Sequence, residues 1–186
     1  MVASDADGED GDRRRVGPKR SEASTNAVLV AAYAEVEGRL SLTDHPGKYL
    51  PELAGSEFDK VSLINLGTHT AGGFPLQVPD EVQDNRQLMD YFKAWQPSYA
   101  AGTQRTYANP SIGALGMITA ASLGVPFASA LEQQLFPALG MRNSFVQVPA
   151  SKMAQYAQGY NKQDAPVRLN PGVLADEAYG VKTASA

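Results

Sequence analysis

The sequence has 186 residues, 43% hydrophobic and 19% charged, which suits one globular domain with a real core. A formal charge of -4 excludes a strongly basic nucleic-acid footprint and a polybasic membrane patch. The lack of cysteine excludes disulfides and thiolate zinc sites, and leaves the redox compartment open.

Residues 1–20 carry Asp5, Asp7, Glu9, Asp10 and Asp12, then Arg13, Arg14, Arg15, Lys19 and Arg20, with almost nothing apolar to bury. A disordered leader is expected there, and the acidic neighbours cancel the charge that a nucleic-acid arm would need. The opening has no apolar run, so no signal peptide is expected in this chain, and no stretch approaches the ~18 apolar residues of a membrane span. From Ser24, "STNAVLVAAYAEVEGRL" joins a capping residue, an Ala-rich apolar run and Gly38 as a stop, which predicts a helix. "LSLTDHPGKYLPEL" reads as a connector, and "DKVSLINLGTHTAGG" as a second helix ending at Gly72-Gly73.

After the Pro-rich loop "FPLQVPDEVQDNRQ", a third helix is expected over about Arg86–Trp95 behind an Asn85 cap, with Leu88, Met89, Tyr91, Phe92 and Trp95 apolar. "TQRTYANPSIGALGMI" predicts a fourth helix, with Asn109 as N-cap, Pro110 at the first helical position and Ile112, Leu115, Gly116, Met117, Ile118 and Ala121 on a buried stripe. A fifth begins near Pro126, carries Phe127, Ala130, Leu131 and Leu135 on one side, and ends at "FPALGM". Beyond Pro149 a short helical piece precedes "AQGYNKQDAPVRL", which resembles a hairpin with a polar four-residue turn. Strand content is expected to be low.

The two histidines, His45 and His69, lack the short helical spacing of a zincin motif and have no clustered carboxylates, so neither a metal nor another cofactor is expected. The Tyr-Ala-Asn triplet at 107–109 has a purely structural reading as the start of a helix. Its company changes the weighing. "HTAGGFPLQVPDEV", "QPSYAAGTQRTYANPSIGALG", "LFPALGMRNSF", "VPASKMAQYAQGY" and "DEAYGVKT" occur in the order and spacing of the class C serine β-lactamases. From about Ser21 to Thr183 the chain resembles that family almost without a break. The resemblance implies an α/β (α+β) β-lactamase/transpeptidase-like fold, of which this chain covers mainly the helical domain and leaves the sheet incomplete. It divides the chain into a leader at 1–20 and a partial β-lactamase domain at 21–186, with apolar faces left exposed.

The resemblance also implies roles. Tyr107 matches the active-site tyrosine that exchanges protons with the nucleophilic serine and the leaving nitrogen, and Asn109 the amide that binds the substrate's acyl side chain. Gln77 matches a substrate-contacting glutamine, and Tyr179 an aromatic wall of the pocket; as plain structure, Gln77 could face water and Tyr179 could pack against the hairpin. Ser21 falls on the nucleophile position of the Ser-x-x-Lys motif, but Ser24 stands where the lysine belongs and "GPKR" upstream is unlike the family. The Lys-Thr-Gly strand lies beyond the "EAYGVKT" segment in the family, and Lys182-Thr183 belongs to that earlier segment. A phenol ordinarily titrates near 10, and bringing one to neutrality takes about 4 kcal/mol, of the kind two nearby ammonium groups supply. With both lysines missing, the expectation is a partial chain with little or no turnover alone.

The resulting expectation is β-lactam amide hydrolysis through a serine acyl-enzyme, with penicillins and cephalosporins as substrates, by a periplasmic monomer. The rivals are an esterase or D-alanyl-D-alanine peptidase relative, and a non-catalytic helical binding module.

Overall fold

The computed structural model describes residues 21–146, 148–155 and 159–167. Helices α1 (Ser21–Val36), α2 (Leu63–Gly67), α3 (Asn85–Ala94), α4 (Asn109–Leu123) and α5 (Phe127–Ala138) precede a hairpin of β1 (Gly159–Tyr160) and β2 (Pro166–Val167). Helix thus predominates over strand, as the sequence predicts. Among the described residues no single helix is long and apolar enough to cross a membrane.

The organising element is α4. Its residues from Asn109 to Thr119 are buried without interruption, the signature of a helix enclosed on all sides. Helices α1, α2 and α5 pack around it. Ser111 Oγ ties α4 to α2 by donating to the Leu66 carbonyl at 2.8 Å. Gly67 closes the same contact: a Cβ there would lie 3.2 Å from Leu115 Cδ2.

Helix α1 is already helical at Ser21, the first described residue, and turns Ala27, Val30, Ala31 and Ala34 inward at helical spacing. It ends as expected at Gly38, whose φ of 66° lets the Arg39 N–H reach the Ala34 carbonyl at 2.8 Å. The same helix is apolar on its other side. Val28 (41% exposed), Leu29 (39%), Tyr33 (37%) and Val36 (86%) form a second row that faces water, the exposed apolar face expected of a partial chain.

The second helix is far shorter than the apolar recurrence predicts. Helix α2 stops at Gly67, and His69 takes a left-handed φ of 60°. The Thr70 N–H then returns to the Asn65 carbonyl at 2.9 Å, and the His69 N–H to that of Leu66 at 3.3 Å. This is a Schellman motif with histidine where glycine usually sits. Gly72 and Gly73 serve instead as points of close approach: a Cβ on Gly72 would lie 2.8 Å from the Tyr99 carbonyl.

Helix α3 is capped one residue earlier than expected, because Asp84 Oδ1 rather than Asn85 accepts the Gln87 N–H, at 2.8 Å. Its inner face builds an aromatic cluster: Phe92 stacks on Phe58 at 4.8 Å between centroids, and Phe74 on Trp95 at 4.2 Å. Beside it, the Tyr91 hydroxyl is buried with no partner among the described residues, and burial pushes its pKa up to about 12. Tyr91→Phe is accordingly expected to raise stability by ~1 kcal/mol, read as a higher urea midpoint at unchanged slope.

Helix α5 buries Phe127, Ala130, Leu131 and Phe136, and widens into a π-helical turn over Ala130–Leu135 just ahead of Pro137, which cannot donate to the ladder. The short helical piece lies at Ala150–Gln155. In the hairpin Tyr160 pairs with Pro166. Asn161 Oδ1 accepts the Gln163 and Ala165 N–H groups, both at 2.9 Å, so the turn is polar as predicted.

Candidate active site

The candidate site forms where the N-terminus of α4 meets the loop that follows α2. Residues 106–108 lead into α4 outside any helix, and their backbone donors and that of Asn109 need partners. His69 supplies two: its carbonyl accepts the Thr106 N–H at 2.9 Å, and its Nδ1 the Ala108 N–H at 3.3 Å. The Asn109 N–H goes to the Leu76 carbonyl at 3.0 Å. Further up the same seam, Gly72 O accepts from Ser98 N and Thr70 O from Gly102 N, each at 2.8 Å.

This arrangement corrects the role expected for Asn109 in the helix. The N-cap of α4 is Ala108, with Asn109 already helical and Pro110 beside it. Ala108 holds the cap position with no side-chain cap, and the Asn109 N–H is taken by the Leu76 carbonyl, so the Asn109 carboxamide is left for other work. Its Nδ2 donates to Gln77 Oε1 at 3.0 Å. One N–H of Asn109, both N–H of Gln77 and the Asn109 oxygen remain as chemical capacity beyond that bond.

Tyr107 lies half-buried between these anchors, its ring 4.5 Å from the His69 ring and tilted by 38°. The structure therefore joins Asn109 to Gln77 and sets Tyr107, two residues before Asn109 on the same segment, against His69. Ser21 begins α1, but its side chain is outside what the structure describes, and Tyr179 lies outside the described residues altogether.

His69 is the site residue that sequence reasoning missed, having been weighed only as a metal ligand. It is 6% exposed. Burial first, and then the positive charge of Arg105, hold its pKa below the ordinary 6.5. Accepting the Ala108 N–H requires a lone pair on Nδ1, so the ring proton resides on Nε2. The linkage follows in sign. The unfolded chain takes up this proton first as pH falls, so the contribution of His69 to stability is complete above 6.5 and is lost as pH falls through that value toward the lower folded pKa. Chemical denaturation from about pH 8 to pH 5 should show stability declining with pH, and His69→Asn should remove that part of the decline.

Comparison with known proteins places this geometry. Residues 25–186 match the Beta-lactamase family model, which leaves Ser21 and Ser24 just outside the matched range. The chain belongs to the β-lactamase family. It is 55% identical over 163 residues to a β-lactamase of Lysobacter lactamgenus, covering 88% of this chain and 42% of that relative. Among solved structures it superimposes with a TM-score of 0.80 on a β-lactamase/D-alanine carboxypeptidase from Pseudomonas syringae, at 57% identity, covering 88% of this chain and 46% of the other. A class C β-lactamase solved in complex with cefoxitin gives the same TM-score at 51% identity, over 87% and 45%. The chain thus spans less than half the length of these β-lactamase relatives, and what it carries of their fold is the helix-rich part.

Proposed function

We propose that this chain is the helix-rich part of an enzyme that opens the amide of β-lactams through a serine acyl-enzyme, with little or no turnover of its own while both lysines are missing. Tyr107 moves protons between the nucleophile and the leaving nitrogen, and the Asn109–Gln77 pair binds the amide of the substrate's acyl side chain. The observation that carries this reading is the 3.0 Å bond from Asn109 Nδ2 to Gln77 Oε1 beside Tyr107. Two joined carboxamides present both a donor and an acceptor, which is what a secondary amide needs from its site. Ser21 at the start of α1 is the proposed nucleophile, and Tyr179 a wall of the pocket.

The test is nitrocefin hydrolysis by a full-length chain of the family carrying these residues, from a host without its own lactamase, with mass spectrometry of the penicillin adduct. The reading expects an adduct on Ser21 that disappears in Ser21→Ala; an adduct on another residue, or hydrolysis untouched by Ser21→Ala, would sink it. Asn109→Ala is expected to raise KM about five- to tenfold through the loss of one hydrogen bond, with a smaller change in kcat. Steady-state kinetics on substrates with and without an acylamino side chain check this, since only the former should respond.

A second reading is favoured by the Pseudomonas syringae structure, which is named for both activities. D-alanine release from a D-alanyl-D-alanine peptide uses the same acyl transfer and separates the two substrates directly.

A further inference from the structure

We propose that His69 is a positioning residue for the Tyr107–Asn109 segment: its neutral imidazole holds that segment as a hydrogen-bond acceptor, and protonation of the ring releases it. This rests on the reading of Tyr107 and Asn109 given above.

The backbone of His69 stands where glycine is the natural occupant. A non-glycine residue in the left-handed region carries strain of its own, so its side chain must supply something that glycine would not. What it supplies is visible. Nδ1 receives the Ala108 N–H, the ring lies against Tyr107, and the carbonyl of the same residue receives the Thr106 N–H. One residue therefore holds the chain on both sides of Tyr107 and one step ahead of Asn109.

Protonation undoes half of this clasp. An imidazolium has no lone pair on Nδ1, so it would set one N–H against the Ala108 N–H. It would also place a second positive charge near Arg105, in a site with little water. Facing the ring are the Tyr107 phenol and the Arg105 guanidinium from the segment before α4; the flanking Thr68 and Thr70 and the nearby Asn109–Gln77 pair are uncharged. With no carboxylate among these neighbours to accept the new charge, the relief is movement of the segment.

The chemistry offers matched variants. In His69→Asn, Oδ1 sits at the same bond distance from the backbone as Nδ1, accepts the same N–H, tolerates the left-handed conformation and does not titrate. His69→Gly removes the acceptor and the strain together, so the turn itself keeps its shape. The experiment is NMR of the histidine ring nitrogens with hydrogen-exchange protection of the Ala108 amide, from about pH 8 to pH 5.

The expected result is an Nε2–H ring whose protonation, centred below 6.5, coincides with the loss of Ala108 protection. Asn should retain protection at every pH, and Gly should lose it about tenfold at every pH. Protection that ignores the titration of His69, or that falls as far in Asn as in Gly, would overturn the proposal. The kcat/KM profile for nitrocefin, taken on a full-length chain of the family carrying these residues, adds a separate arm: its acid limb should flatten in His69→Asn. If that full-length chain opens no β-lactam while the exchange pattern holds, the functional reading fails and the positioning role stands.

Discussion

Phe58→Ala is expected to lower the free energy of unfolding by about 3–5 kcal/mol, a large share of the stability of any domain. Phe58 is fully buried in the turn at Phe58–Lys60. Its ring stacks on Phe92 and meets Phe74 and Trp95 edge-on at 5.6 and 6.0 Å. Truncation would open a void with aromatic walls, which the helix of Phe92 and the glycine-pinned loop of Phe74 cannot close. The melting temperature should fall by about 10 °C, given ~2–4 °C per kcal/mol for a chain of this size. Val36→Ala, on the exposed side of α1, should stay within ~0.5 kcal/mol and serves as the control. An effect of Phe58→Ala no larger than that of Val36→Ala would mean that the aromatic cluster is not a structural core. The change should also reach the site, because Phe74 stands two residues ahead of Leu76, whose carbonyl anchors Asn109.

Tyr107→Phe is expected to leave the fold unchanged and, in a full-length chain of the family carrying these residues, to cut nitrocefin turnover by ~10²–10⁴-fold, the usual worth of a proton-transfer group. The substitution removes one oxygen and keeps the ring against His69, so packing is conserved. A loss confined to kcat, with the melting temperature and the Ala108 amide protection unaltered, would locate the effect in chemistry. Unchanged turnover would remove Tyr107 from the reaction, and a matching drop in melting temperature would make its hydroxyl a structural group.

How much of this was legible in the sequence depends on how far apart the interacting residues lie. Helices α1 and α4 could be read because their signals are local: an apolar recurrence, Gly38 at one end and Pro110 at the other. The overlong second helix shows the limit. Leu63, Leu66 and the residues after them keep a helical recurrence, and nothing in "LGTHTAGG" announces that His69 will adopt a left-handed turn. The cap of α3 was missed by one position because Asp84 and Asn85 are both good caps, and only the bond to the Gln87 N–H decides between them. In the site, Tyr107, Asn109 and Gln77 were visible through the family resemblance. The contact between Gln77 and Asn109 spans 32 residues and that between His69 and Ala108 spans 39, so no window of sequence contains either. Reading Asn109 as the cap is reasonable from its neighbours alone; the extended backbone at Ala108 moves the cap one residue earlier and takes Asn109 into the helix.

The outer row of α1 will govern how this polypeptide behaves in a tube. Val28, Leu29, Tyr33 and Val36 make an oily ridge along about two and a half turns of helix, and a formal charge of -4 offers only weak repulsion between molecules that meet along it. Concentration, salt and detergent should therefore alter its solubility well before they alter its secondary structure, and a dye that brightens on apolar surfaces would stain the native form.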